Sequence, residues 1–193
     1  FRSKPGNIFG TATYDIFLWI NGFFGCVLLG VAVGMQFFGA DFQVVRSSIL
    51  DPSAPVISVW NSSHGFNLIF SIPTLLLGFT VYFLARTLGA LFIRDYVKAQ
   101  EETDFMRRSR TSVLINGTIF VLLFLSFLFA LFMAPGYTMT EDGFVAEVPH
   151  KYFFNLIDLW WIGAIFLIGV LMVLYAIIRA SLSETFRGGF WWA

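Results

Sequence analysis

Apolar residues along this chain come in four long runs, each close to the length of a bilayer crossing. The first, Asp15 to Gly39, carries a single ionisable group, at its first position. About 25 residues at roughly 1.5 Å each span a hydrocarbon core of about 30 Å. A second run covers 66–93, with Pro73 near its start and Arg86 inside it. A third, 112–134, is dense in Phe and Leu and stops at Pro135-Gly136; a fourth covers 153–178 and opens on Asp158-Leu159-Trp160-Trp161. Paired tryptophans at the head of an apolar run mark a membrane interface. The pattern predicts four transmembrane helices. Gly22, Gly25, Gly30 and Gly34 recur along the first, and Gly30 to Gly34 is a GxxxG. Glycine weakens a helix in water but admits a close neighbour in lipid, so these four are candidate helix-packing positions.

The connections differ in character. Residues 1–14 form a short basic lead with turn chemistry at Lys4-Pro5-Gly6-Asn7. Residues 40–65 form a long polar connection in which Asp51-Pro52-Ser53-Ala54-Pro55 excludes regular helix. Its Ile57, Val59 and Trp60 suit a loop lying on the interface, and Asn61-Ser62-Ser63 fits a glycosylation sequon, which matters only in a secretory compartment. Arg94 to Thr111 is the most charged stretch and is expected in water. Residues 136–152 form a mildly acidic loop.

Composition narrows the class. Of 193 residues 58% are hydrophobic and only 12% charged, against about 25% charged in soluble domains. The expectation is an all-α polytopic membrane protein: one membrane helical region over 1–193, with four transmembrane helices plus the start of another in the closing Arg187-Gly188-Gly189-Phe190-Trp191-Trp192-Ala193. The first residue is Phe1, and the chain reads as a piece of a longer protein. A net charge of zero suggests no nucleic-acid partner. The one cysteine, Cys26, lies inside the first helix and excludes an intrachain disulfide. Cationic residues are lopsided. Arg2, Lys4, Arg94, Lys98, Arg107, Arg108, Arg110, Arg179 and Arg187 fall on one side of the predicted crossings, and Arg46 and Lys151 on the other. By the positive-inside rule both ends of the chain face the cytoplasm.

Candidate chemistry is sparse. The two histidines, His64 and His150, belong to loops, where a solvated histidine is the ordinary case and an axial haem ligand the exception. Met35, Met133 and Met172 suit packing better than ligation. Metal-ligand and phosphate-loop motifs are missing, and no catalytic residue or metal site is assigned. Asp15, Arg86 and Asp158 are the ionisable residues at membrane depth, where a pairing or functional role is the first hypothesis. For the aspartates the alternative is a favourable place at a helix start near headgroup water. Arg86 pairs with Asp15 across the first two helices or snorkels to headgroups. Asn21, Asn116, Thr118 and Ser126 suit hydrogen bonds between helices.

Several stretches resemble subunit II of cytochrome bd-type quinol oxidases, in the variant common in Bacteroidota-like bacteria. They are Phe1 to Asn7, Tyr14-Asp15, Asn21-Gly22, Leu29 to Gly34, Asp51-Pro52, and Pro55 through Trp60. His64-Gly65, Leu76-Leu77-Gly78, Phe83 to Arg86, His150-Lys151-Tyr152 and Gly189 to Ala193 continue the likeness in order. The resemblance implies a heterodimeric terminal oxidase in the bacterial inner membrane that oxidises quinol and reduces dioxygen to water. It implies haem b and haem d on subunit I, the haem-bearing partner, and none in this chain. Subunit II is then a scaffold and, in some members, a route for oxygen or protons and a holder of a structural quinone. Asp15 is the one acidic position the resemblance carries over, since the family's first and last helices are missing here. The competing expectation is a transporter or channel, to which an interior arginine and two helix-end aspartates are not foreign.

Overall fold

The computed structural model describes residues 9–39, 42–46, 56–64, 66–96, 103–139, 145–183 and 186–193. Four of its helices are long and apolar enough to cross a membrane, and the chain is an all-α polytopic membrane protein. Helix α1 (Gly10–Phe38) starts ahead of the apolar run, because Thr11 to Tyr14 continue the helix outward. Thr13 Oγ1 donates to the Phe9 carbonyl at 2.6 Å. Hydropathy marks where a helix enters apolar surroundings, not where it begins. Gly39 closes α1 with φ +77° and donates its N–H to the Met35 carbonyl.

The second run is split. A 3₁₀ turn at Phe66–Phe70 precedes α2 (Ile72–Tyr96). Pro73 has no N–H to give the Ile69 carbonyl, so an α-helix cannot run through from Phe66. Instead the first α-type bond at this end goes from Leu75 N to Ser71 O. Helix α3 (Thr103–Met133) begins nine residues before the predicted start at Ser112. Its 31 residues cover about 46 Å against a core of about 30 Å. Much of the charged stretch is therefore helix projecting beyond the apolar layer.

The last span departs most from its prediction. Residues 153–178 are not one helix: α4 (Lys151–Asp158) ends at Leu159, φ −99° and ψ 53°, and α5 (Trp160–Leu182) starts afresh. Gly163 allows the fold-back, since a Cβ there would stand 3.0 Å from the Leu156 carbonyl oxygen. Asp158 is consequently the last residue of α4, exposed, rather than in the first turn of the crossing helix. A short α6 (Gly189–Trp192) ends the chain.

Two antiparallel hairpins occupy connections expected to be irregular. Strand β1 (Phe42–Arg46) pairs with β2 (Val56–Trp60), and β3 (Gly136–Met139) with β4 (Val145–Val148). The Asp51-to-Pro55 stretch lies outside the described residues. Helix α2 is the centre of the array, with α1 against one side and α3 against the other; α5 lies on α3, and α6 returns to α2. The close approaches pair Gly30 with Gly78 and Gly34 with Thr74, so α1 and α2 run antiparallel. One small core is Val27, Val31 and Tyr82 between those two helices. The other is Leu91, Val113, Ala176 and Ala180, at the arginine-rich end where α2 has Arg94 in its last turn and α3 carries Arg107, Arg108 and Arg110 near its start.

Candidate functional site

The buried polar centre of the molecule lies where α2, α3 and α5 meet at that end. Arg94 is only 1% exposed, although it opens the stretch expected in water. The reason is its partner. Helix α5 ends at Leu182, and the last carbonyls of any helix lack donors within it and carry the negative end of the dipole. Arg94 Nη1 donates to the Ala180 carbonyl at 2.5 Å and Nη2 donates to that of Ser183. Arg110 Nε, from α3, donates to the Ser181 carbonyl at 2.5 Å. Next along α2, Asp95 accepts from Gly188 N at 2.8 Å and from Phe190 N at 3.1 Å, holding the start of α6. A cation and an anion adjacent in sequence thus receive the end of one helix and the beginning of the next. The arrangement is a clamp, not a reaction centre. Sequence reasoning missed Asp95 and the roles of Arg94 and Arg110; a basic residue in the last turn of an apolar run was the available signal.

Arg86 is exposed on α2 and donates from Nη1 to Tyr82 Oη, one turn earlier, at 2.9 Å, with its guanidinium 5.7 Å from that ring's centre. Among the described residues that is the contact the structure gives it, and it is not Asp15, which is exposed on the second turn of α1. Of the four glycines, Gly30 and Gly34 meet α2: an added Cβ would stand 2.6 Å from Gly78 Cα and 3.1 Å from Thr74 Cα. Gly22 and Gly25 have nothing within 4 Å at that position.

At the opposite end, His150 takes φ +57° before α4 and its Nδ1 lies 2.9 Å from the Phe132 carbonyl oxygen, near the end of α3. Tyr152 Oη donates to the Phe37 carbonyl at 2.7 Å, near the end of α1. The α4 segment therefore ties two helix ends together. His64, φ +46°, is exposed in the turn closed by its N–H to the Asn61 carbonyl. A haem wants a slot with an axial ligand aimed across it. The His150 ring sits against a backbone carbonyl, and His64 lines a cavity of about 250 Å³ together with Met35 and Phe66. Among the described residues no three of His, Cys, Asp and Glu come together as a metal site. A cavity of about 430 Å³ between α2, α3 and α5 is apolar, with Leu84, Phe120, Phe124 and Phe166 in its wall.

Compared with known families, residues 1–193 match the family model described as cytochrome bd terminal oxidase subunit II. Among curated proteins no match is found.

Proposed function

We propose, because the chain belongs to the cytochrome bd terminal oxidase subunit II family, that it is the haem-free scaffold of a quinol-oxidising, dioxygen-reducing complex. Its membership is the observation that carries this, since the match runs the length of the chain. The family makes the complex an oxidoreductase; haem b and haem d we assign to the partner, subunit I, as the resemblance to bd-type oxidases implies. The scaffold reading draws on two features. The Arg94, Asp95 and Arg110 clamp stiffens one end of the bundle and the His150 and Tyr152 contacts stiffen the other. Between them, the apolar window of α5 is only 11% buried and that of α1 only 17%, which leaves broad apolar faces for subunit I and lipid. The cavity between α2, α3 and α5 is the place we assign to an oxygen route or the tail of a structural quinone, both apolar cargoes.

Affinity purification through a tag on the full-length subunit tests this. The expected preparation carries a haem-bearing membrane partner with b- and d-type bands in a reduced-minus-oxidised spectrum, while the subunit expressed alone binds no haem. A tagged subunit that purifies without haem, in cells whose quinol oxidase activity survives its deletion, would overturn the proposal.

A further inference from the structure

A groove of about 410 Å³ runs between α2 and α3 at the arginine-rich end. Arg86 and Gly89 are on its α2 wall, and Phe105, Arg108, Ser109 and Ser112 on its α3 wall. With Ala90 and Ile93, which also line the α2 wall, both sets follow the i, i+3, i+4, i+7 spacing of a single helix face, so the two walls face each other along about two turns.

The groove is cationic. Arg86 spends Nη1 on Tyr82, which leaves the remaining donors of its fork. Among the described residues nothing hydrogen-bonds or ion-pairs with the Arg108 guanidinium. Among the described residues no carboxylate lines the groove; Asp104 lines a separate neighbouring cavity with Arg107, Arg108 and Thr111. Ser109 is buried and donates to the Ala90 carbonyl at 3.2 Å, closing the floor. The Ser112 hydroxyl accepts from Asn116 Nδ2 at 3.1 Å, which leaves its own proton to donate. Two guanidiniums on one groove repel unless an anion lies between them.

Depth decides which anion. Arg86 is eight residues before Arg94, about 12 Å along the helix, and the chain either side of it is apolar. On α3 the groove begins in the charged projection and ends at Ser112, where the apolar run starts. It therefore straddles the boundary between water and hydrocarbon, the depth of a phospholipid headgroup. Basic pockets between membrane helices suit anionic headgroups, and arginine's planar fork matches phosphate oxygens.

We propose that this groove binds the phosphate of an anionic phospholipid headgroup, held by Arg86 and Arg108 with Ser112 donating, while the acyl chains run along the apolar faces of α2 and α3. The site depends on membrane insertion and not on the oxidase assignment, so its failure would leave that assignment intact.

The purified, delipidated complex is titrated with phosphatidylglycerol and lipid retention is counted by native mass spectrometry. Arg86→Gln and Arg108→Gln should each weaken binding about tenfold, the loss of one charge-assisted contact. Gly89→Leu should block the site without disturbing the fold, since nothing stands within 4 Å of a Cβ there. Arg107→Gln, the same charge change outside the groove, should leave binding unchanged, and phosphatidylcholine, whose phosphate charge is offset by its own ammonium, should bind wild type more weakly than phosphatidylglycerol does. Wild-type retention in the Arg86, Arg108 and Gly89 variants would overturn the proposal, as would an equal loss in Arg107→Gln. Inorganic phosphate that displaces the lipid from wild type would make the ligand a free anion and overturn the lipid assignment.

Discussion

A guanidinium at 1% exposure has to place its charge against something, and Arg94 places it against the terminal carbonyls of α5. Alanine at this position would take the Arg94 donors away from the buried Ala180 carbonyl and the half-buried Ser183 carbonyl and open a cavity besides. Two hydrogen bonds from a charged group, at roughly 1.5–3 kcal/mol each, put the cost of Arg94→Ala on the order of 3 kcal/mol. The expected readout is a clear fall in the thermal midpoint of the assembled complex. Arg94→Lys should fall between, because one ammonium cannot reach both carbonyls with a planar fork's geometry; a midpoint equal to wild type would show that charge alone suffices. Arg86 makes the complementary case. Its contact is Tyr82, so a double-mutant cycle of Arg86→Gln with Tyr82→Phe should show coupling of about 0.5–1.5 kcal/mol. Arg86→Gln with Asp15→Asn should simply add. Coupling in the second cycle and not the first would restore the Arg86–Asp15 pair that the sequence suggested. At this scale the sequence flags a charge in an apolar run but not its partner: Tyr82 is a helical neighbour, whereas Ala180 is 86 residues from Arg94.

Helix existence was readable from hydropathy, and so was the GxxxG; boundaries and the facing partner were not. Of the candidate packing glycines two meet α2 and two do not, and only the register of α1 on α2 separates them. That register depends on Gly78, in the middle of a different run. Gly30→Ala would drive a methyl against the Gly78 backbone at 2.6 Å, and backbone cannot rotate aside, so α1 and α2 must separate. Gly25→Ala meets nothing and gains helix propensity, about 1 kcal/mol in aqueous helices. Expected in a thermal or denaturant series is marked destabilisation for Gly30→Ala and none for Gly25→Ala; equal effects would place the tight seam elsewhere. The break at Leu159 was hidden for a related reason. Phe153 to Ile178 is continuously apolar apart from Asn155 and Asp158, and hydropathy cannot see that Gly163 lets Leu156 fold back. The helical stretch 103–111 was hidden because charge was read as loop, while helix propensity does not penalise arginine or methionine.

The antiparallel order of the helices gathers charges that the sequence scatters. Arg94, Arg110 and the end of α5 are in direct contact, so the α2–α3 connection and the α5–α6 segment share one end of the molecule. Arg107, Arg108 and Arg179 belong to it as well. Lys151 is at the other end, its side chain packed where a Gly136 Cβ would stand, and next to it Tyr152 reaches the end of α1. Arg2, Lys4 and Lys98 lie outside the described residues. Lys and Arg within about 15–20 residues of a crossing set its orientation, and almost all of them here are on one side. We expect that end to face the cytoplasm. Reporter fusions after Thr103 and after Arg179 should give cytoplasmic signals, and fusions near Ser53 and Asp142, both outside the described residues, signals from the opposite face. Because α1 and α2 form a packed antiparallel hairpin, the Thr103 fusion already contains a complete pair of crossings, and its reading does not depend on α3. A periplasmic signal there would invert the whole array, and with it the side of the membrane whose anionic lipid the Arg86–Arg108 groove meets.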